Sequence, residues 1–163
     1  MVIISSSQNH FIGSMDISQI TEYLYIAAHP KAEEADAIRD LNVRLILNMI
    51  FIRPAKVYNQ PPFSMLTLRT FDSIFLPIPM AKLVRGVEAA LPVIQSGNSV
   101  LVYCREGRHR SVAMAATILV ADGYSADEAM QLIKSQREKA DPYAWHIQRR
   151  IRKFAEIWRR NHT

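Results

Sequence analysis

The stretch from Val100 to Ala116, VLVYCREGRHRSVAMAA, decides how the rest of the chain is read. It opens on an apolar run rich in branched side chains, with the length of a buried strand. The run stops at Cys104, the only cysteine of the protein. Arg105, Arg108, His109 and Arg110 follow within six positions, and the chain then turns apolar again. Ser111 to Asp122 reads as a helix apolar on nearly every side, hence deeply buried, with Gly123 as its stop. A lone thiol thus sits between a buried strand and a buried helix, wrapped in positive charge.

Seven residues, Cys104 to Arg110, join the two elements. A tight loop of this kind turns successive backbone N–H groups toward its centre and makes a concave anion site. The N-terminus of the following helix adds the positive end of its dipole. Gly107 supplies a position free of Cβ limits on φ. Arg110 closes the loop with a planar fork suited to two phosphate oxygens. Arg105, Glu106, Gly107, Arg108, His109 and Arg110 are therefore read as a cradle for a phosphate-like dianion, with the thiol at its floor. A cysteine in such a field falls from about 8.5 to roughly 3.5–7.5, so Cys104 is expected to be a thiolate at neutral pH. Facing a bound phosphorus, it is a nucleophile placed for in-line displacement, and the product is a phosphocysteine. Ser111 can donate a hydrogen bond to the sulfur and help it leave again. A lone cysteine ending a strand is most often inert core. The joint spacing outweighs that reading: Cys, five residues including a glycine, then Arg-Ser, between a strand and a helix.

Outward from this unit, strands and helices alternate. Tyr23 to Ala28 and Val43 to Ile50 read as strands, with a helix opened by Pro30 between them. Arg53 to Phe63 holds three of the eight prolines and reads as a loop. Met65 to Phe71 alternates as a strand and ends at Asp72. Leu83, Val87, Leu91 and Ile94 form a helical stripe that Gly97 terminates. Ser99 to Tyr103, apolar throughout, is expected at the sheet centre. Ser125 with Glu128 makes a capping box for the next helix, and a last helix runs from about Pro142 to Arg160. This order predicts a three-layer α/β domain with a mainly parallel central sheet flanked by helices. Reactive groups in such sheets lie where strands end and helices begin, as Cys104 does.

The 163 residues fit one domain, 1–163, with a variable N-terminal segment over 1–19. Residues 1–14 are too short and polar for a signal peptide and read as a tail or a first short strand. A single cysteine excludes an internal disulfide and fits a reducing compartment, so a cytoplasmic location is expected. The net charge of +5 favours anionic partners without choosing among them. The last helix carries Arg149, Arg150, Arg152, Lys153, Arg159 and Arg160 opposite its apolar stripe. A solvated face is the expectation there, with no stable nucleic-acid or membrane partner. His10, His29, His146 and His162 show no ligand spacing, so neither a metal site nor a cofactor is expected.

CREGRHRS resembles the C-x5-R-[S/T] signature of the protein tyrosine phosphatase superfamily, and VLVYCREGRHRS is similar to its dual-specificity branch. LYIAAHPKAEEADAIRDLNVRLILNM resembles that branch's opening strand–helix–strand unit, and GYSADEAMQLIKSQRE its helix after the catalytic unit. The likeness covers residues 20 to 160. It implies the protein tyrosine phosphatase-like fold, phosphorylated protein as substrate and inhibition by phosphate-like oxyanions.

Ester cleavage needs a proton for the departing oxygen. Between Leu41 and Ala121 there is one aspartate, Asp72; the other acids are Glu88, mid-helix, and Glu106, inside the loop. Asp72 opens the segment DSIFLPIP, 32 positions before Cys104, a separation that resembles the branch's general acid. Its alternative reading is a cap. Glu106 is expected to stiffen the loop, and His109 to line or brace it.

Two features depart from the family. Tyr103 stands where a histidine is usual, which removes a positive charge beside the thiol. The segment Asp141 to Trp145, DPYAW, replaces an asparagine-containing turn, which puts support of the loop from that side in doubt. The resemblance to a compact dual-specificity enzyme implies a shallow pocket that admits phosphotyrosine, with phosphoserine and phosphothreonine as further substrates. The added charge of Arg105 and Arg108 suits instead more anionic targets such as phosphoinositides or an RNA 5′ end. Arg53, Lys56 and Tyr58 are candidate substrate selectors. A rhodanese-like sulfurtransferase and a weakly catalytic phospho-ligand binding module are the rival classes, distinguished by persulfide formation and by turnover respectively.

Overall fold

The computed structural model describes residues 14–162. Residues 1–13, most of the stretch read as a tail or short strand, lie outside it. Five strands form one sheet: β1 (Ile17–Thr21), β2 (Leu24–Ala27), β3 (Val43–Asn48), β4 (Ser64–Thr67) and β5 (Ser99–Tyr103), in the order β1-β2-β5-β3-β4. β5 is central and parallel to both neighbours, with Tyr25 opposite Leu101 on one side and Leu47 opposite Val102 on the other. β4 extends the parallel part beyond β3, and β1 pairs antiparallel with β2. The mainly parallel α/β sheet expected from the alternation is thus present.

Every residue of β5 is buried, so its β-branched run is covered on both faces as a central parallel strand must be. Helix α1 (Ala35–Asp40) packs against β3. Helix α3 (Arg110–Ala121) packs against β2 and β5, with α2 (Met80–Gln95), α4 (Ala126–Gln136) and α5 (Trp145–Asn161) around it. Nine of the twelve α3 residues are buried, which explains a sequence apolar on nearly all sides. The Ser125–Glu128 capping box forms as read, with both reciprocal bonds present. Truncating a fully buried side chain here, such as Met114→Ala, costs about 2–5 kcal/mol.

Three expectations need correction. β1 occupies part of the segment read as variable, because Ile17–Thr21 is a partly covered edge strand whose apolar signal is weak. The strand read over Met65 to Phe71 ends at Thr67, and Arg69 takes φ +47°, which re-aims the chain toward the end of β5. The helix from Pro30 begins as a 3-10 turn, Ala32–Glu34, before α1.

Candidate active site

Cys104 leaves β5 at its C-terminal end and is 3% exposed. Arg110 is the first residue of α3, so the seven-residue loop lies between the central strand and the helix N-terminus. The Ser111 hydroxyl lies 3.1 Å from the Cys104 sulfur. Burial pushes the thiol's pKa up, but hydrogen bonds from the Ser111 hydroxyl and from the amides of Ser111, Arg108 and Gly107 outweigh it and leave the pKa below its ordinary value. The amides of Gly107, Arg108 and Ser111 thus face the sulfur.

Above the thiol is a cleft of about 300 Å³, lined by Asp72, Cys104, Arg105, Glu106, Arg108, His109 and Arg110. The Arg110 fork is anchored by its Nη1, which donates to the Thr70 carbonyl at 3.0 Å. Its Nε is buried with no protein partner among the described residues, leaving a donor for an anion. Thr70 is itself fixed: its N–H and hydroxyl both donate to the Met49 carbonyl, at 2.9 and 2.6 Å. That clamp carries the segment leading to Asp72 across to the mouth of the cleft.

Asp72 is held between two histidines. Its Oδ2 is 2.8 Å from His109 Nδ1, and its Oδ1 is 2.8 Å from His146 Nε2. Burial raises the carboxyl's pKa, but hydrogen bonds from both imidazoles and their charge bring it below the usual value. In this geometry Asp72 is a carboxylate accepting two N–H bonds.

The family model described as "Dual specificity phosphatase, catalytic domain" matches residues 24–155. The chain belongs to the dual specificity phosphatase family. It is 25% identical over 139 residues to dual specificity protein phosphatase 1B of Arabidopsis thaliana, covering 85% of this chain and 81% of that one. It is 32% identical over 108 residues to phosphatidylglycerophosphatase and protein-tyrosine phosphatase 1 of Rattus norvegicus, covering 61% and 55%. The crystal structure of a mouse putative dual specificity phosphatase superposes with a TM-score of 0.82 at 23% identity, over 97% of this chain and 96% of that chain. The chain is thus a cysteine-based phosphatase, and the sulfurtransferase reading falls away.

In this phosphatase the structure brings together Cys104, Ser111, Arg110, Asp72 and the loop Arg105–His109, as the sequence placed them. Glu106 stiffens the loop through its backbone carbonyl; its side chain is exposed. The doubtful segment Asp141–Trp145 does support the loop. The Asp141 amide donates to the Arg108 carbonyl at 3.0 Å, and its carboxylate lies 3.9 Å from Arg108 and 3.6 Å from His109 Nε2. Tyr58 is not a substrate selector: it is fully buried and its hydroxyl donates to the Lys31 carbonyl at 2.6 Å. Arg53 and Lys56 do not line the cleft.

Two site residues escaped the sequence reading. His146 reaches Asp72 from α5, 74 positions away. Arg137, 3% exposed at the end of α4, donates Nε to the Gly107 carbonyl at 2.7 Å and Nη2 to that of Glu106 at 3.0 Å. Arg137 lies in the stretch GYSADEAMQLIKSQRE, read above only as a helix, and His146 in no quoted motif; the tertiary path of α4 and α5 brings both to the site.

Proposed function

We propose that this enzyme hydrolyses phosphate monoesters of aromatic alcohols, with phosphotyrosine in proteins as its substrate class, through a phosphocysteine. The observation that carries the reading is the Cys104 sulfur lying under the amides of Gly107, Arg108 and Ser111, with its pKa depressed. The dianion sits in that cradle, and Arg110 donates its fork to two of the phosphate oxygens. The thiolate attacks phosphorus, an S–P bond forms, and the ester P–O bond breaks with its electron pair going to the leaving oxygen. Asp72, a carboxylate at rest between His109 and His146, has to take up a proton in the substrate complex before it delivers one to that oxygen. The resulting carboxylate, accepting from His109 and His146, then takes a proton from the water that attacks phosphocysteine. Phosphate departs and sulfur leaves as thiolate, eased by the Ser111 hydroxyl. Phosphate-like oxyanions such as vanadate occupy the same cradle and inhibit.

The preference for an aromatic leaving group rests on the rim. Phe71, next to Asp72, is 53% exposed, and its ring centroid is 4.9 Å from that of the equally exposed Phe51. This pair offers a face on which a tyrosyl ring stacks. A second reading is a phospholipid headgroup, favoured by Ile74, Phe75 and Leu76, which follow Asp72 and are 56%, 85% and 54% exposed. The name of the rat relative, which joins a lipid and a phosphotyrosine activity, is in keeping with both.

The test compares wild type, Cys104→Ser and Asp72→Ala on aryl phosphates of graded leaving-group pKa, then on phosphotyrosyl peptide and on a vesicle-borne phosphoinositide. Cys104→Ser should lose turnover and still bind vanadate. Asp72→Ala should slow poor leaving groups far more than good ones. Equal rates in all three proteins refute the mechanism; faster turnover of the lipid than of the peptide selects the second reading.

A further inference from the structure

The mouth of the cleft gathers three donors with the chemistry of a metal site. One ligand atom each from Asp72, His109 and His146 lies within 4.8 Å of the others. They come from three parts of the fold: the segment after β4, the phosphate loop and the start of α5. Two imidazoles and one carboxylate form a compact set of borderline and hard ligands, the donor set that zinc takes in sites with an open position.

We propose that Asp72, His109 and His146 bind a zinc ion, and that zinc held there switches the phosphatase off by removing the Asp72 carboxylate from proton transfer. The inhibitory half rests on the proposed role of Asp72; the binding half does not.

The three side chains already converge on one point at the cleft mouth and need to close on an ion there. Zinc holds N and O ligands at about 2.0–2.2 Å in a tetrahedron, which sets neighbouring ligand atoms roughly 3.3 Å apart. The two carboxylate–imidazole separations are 2.8 Å, one to each carboxylate oxygen, and one ligand atom from each residue lies within 4.8 Å of the others, so the carboxylate must turn and the imidazoles adjust to about 3.3 Å spacing around one ion. On binding, the two N–H···O bonds are replaced by lone-pair donation from His109 Nδ1 and His146 Nε2, and each neutral ring keeps its proton on the other nitrogen. For His109 that nitrogen is Nε2, which is buried and has no hydrogen-bond partner among the described residues. It lies 3.6 Å from the Asp141 carboxylate. A carboxylate behind a metal-ligating imidazole is the usual outer support that fixes its tautomer and orientation. The side chains of His109 and His146 are only 19% and 17% exposed, so their rings are held in place before any ion arrives. Such preorganisation lowers the cost of binding. Asp72, 35% exposed, leaves the site open to solvent on one side for entry and for a fourth ligand, water or an oxygen of bound phosphate.

A competing site must be separated, since a thiolate also binds zinc. Zinc titrations against a chromogenic chelator should show that Cys104→Ser still takes up one ion, and that Cys104→Ser with His146→Ala takes up none. Asp141→Asn should weaken uptake by about 10–100-fold. In the wild type, zinc should suppress aryl phosphate turnover and EDTA should restore it. X-ray absorption of the zinc-loaded wild type needs no substitution and should show only N and O neighbours at about 2.0–2.1 Å. A sulfur neighbour at about 2.3 Å, loss of uptake in Cys104→Ser alone, or unchanged uptake after removing His146 overturns the site. Zinc uptake as described without any change in turnover overturns the inhibitory half, and tells nothing against the phosphocysteine chemistry.

Discussion

The Arg137 guanidinium donates its Nε–H to the Gly107 carbonyl at 2.7 Å, from the side of the loop opposite the cleft. It is the centre of a buried brace. Nη2 also reaches the Glu106 carbonyl at 3.0 Å and Asp16 at 2.9 Å, and Nη1 reaches Ser18 at 3.0 Å. The loop amides face inward because the carbonyls between them are drawn outward by this one side chain. β1 therefore matters to the site: Ser18 within it and Asp16 just before it hold the guanidinium.

Arg137→Ala leaves the Gly107 and Glu106 carbonyls without this donor, while the half-exposed Asp16 carboxylate keeps Lys139. Each buried carbonyl left unsatisfied costs about 1–3 kcal/mol. The expected outcome is a lower melting temperature together with weaker vanadate binding. Arg137→Lys keeps the charge but not the fork, so it should restore stability in part and oxyanion affinity little. Equal vanadate affinity in wild type and both variants would show that the brace does not shape the cradle.

Gly107→Ala tests the loop's backbone directly. Gly107 has φ +66°, in the left-handed region, where a Cβ alone costs about 1–2 kcal/mol. That Cβ would also stand 2.8 Å from the Ala27 carbonyl oxygen and 2.5 Å from Arg137 Nη2. The guanidinium can move only by giving up its bonds, and the backbone oxygen belongs to a central strand pair. Thermal unfolding should drop by several degrees and turnover should be largely lost. Normal activity with normal melting would mean that the loop takes another path.

These contacts show what the sequence could and could not reveal. The spacing from Cys104 to Ser111 is local: strand, loop and helix are contiguous, so composition alone placed the thiol, the amides and Arg110. Asp72 was found by elimination, being the only aspartate in its region. His146 had no such signal, and Arg137 only its place in a stretch that resembles a family helix. Each sits in an ordinary amphipathic or charged stretch, and its role depends on where a helix end arrives after packing. The same holds for Tyr58, whose loop looked like an exposed wall until the Lys31 carbonyl was found to take its hydroxyl.

Ser111 gives a prediction in pH. The reactive form of Cys104 is the thiolate, so its alkylation rate rises with pH until the thiol has ionised and is then flat, whereas turnover falls again as Asp72 loses its proton. Hydrogen bonds to sulfur favour the charged form, and the Ser111 hydroxyl is the largest of these influences. Ser111→Ala removes one of them and moves the rising limb to higher pH. The iodoacetamide alkylation rate followed against pH reads this directly. The same variant should accumulate phosphocysteine in a burst experiment, because the departing sulfur has lost a donor. An unshifted alkylation profile would show that the amides alone set the thiol.

Tyr103 supplies the last test. It is fully buried at the end of β5, its ring stacks on His29 at 5.5 Å, and its hydroxyl has no protein partner among the described residues. Burial raises its pKa, so it stays neutral and gives no positive charge to the neighbouring thiol. A buried donor without a partner costs about 1–3 kcal/mol, so Tyr103→Phe should leave stability unchanged or raise it, with activity retained. Tyr103→His does the opposite kind of thing: it leaves space where the larger ring was and adds a group able to carry charge beside Cys104. Stability should fall, while the thiol's alkylation limb moves to lower pH. A limb that stays in place or moves up would mean that charge at this position does not reach the sulfur, and that the amide nest and Ser111 account for the thiolate unaided.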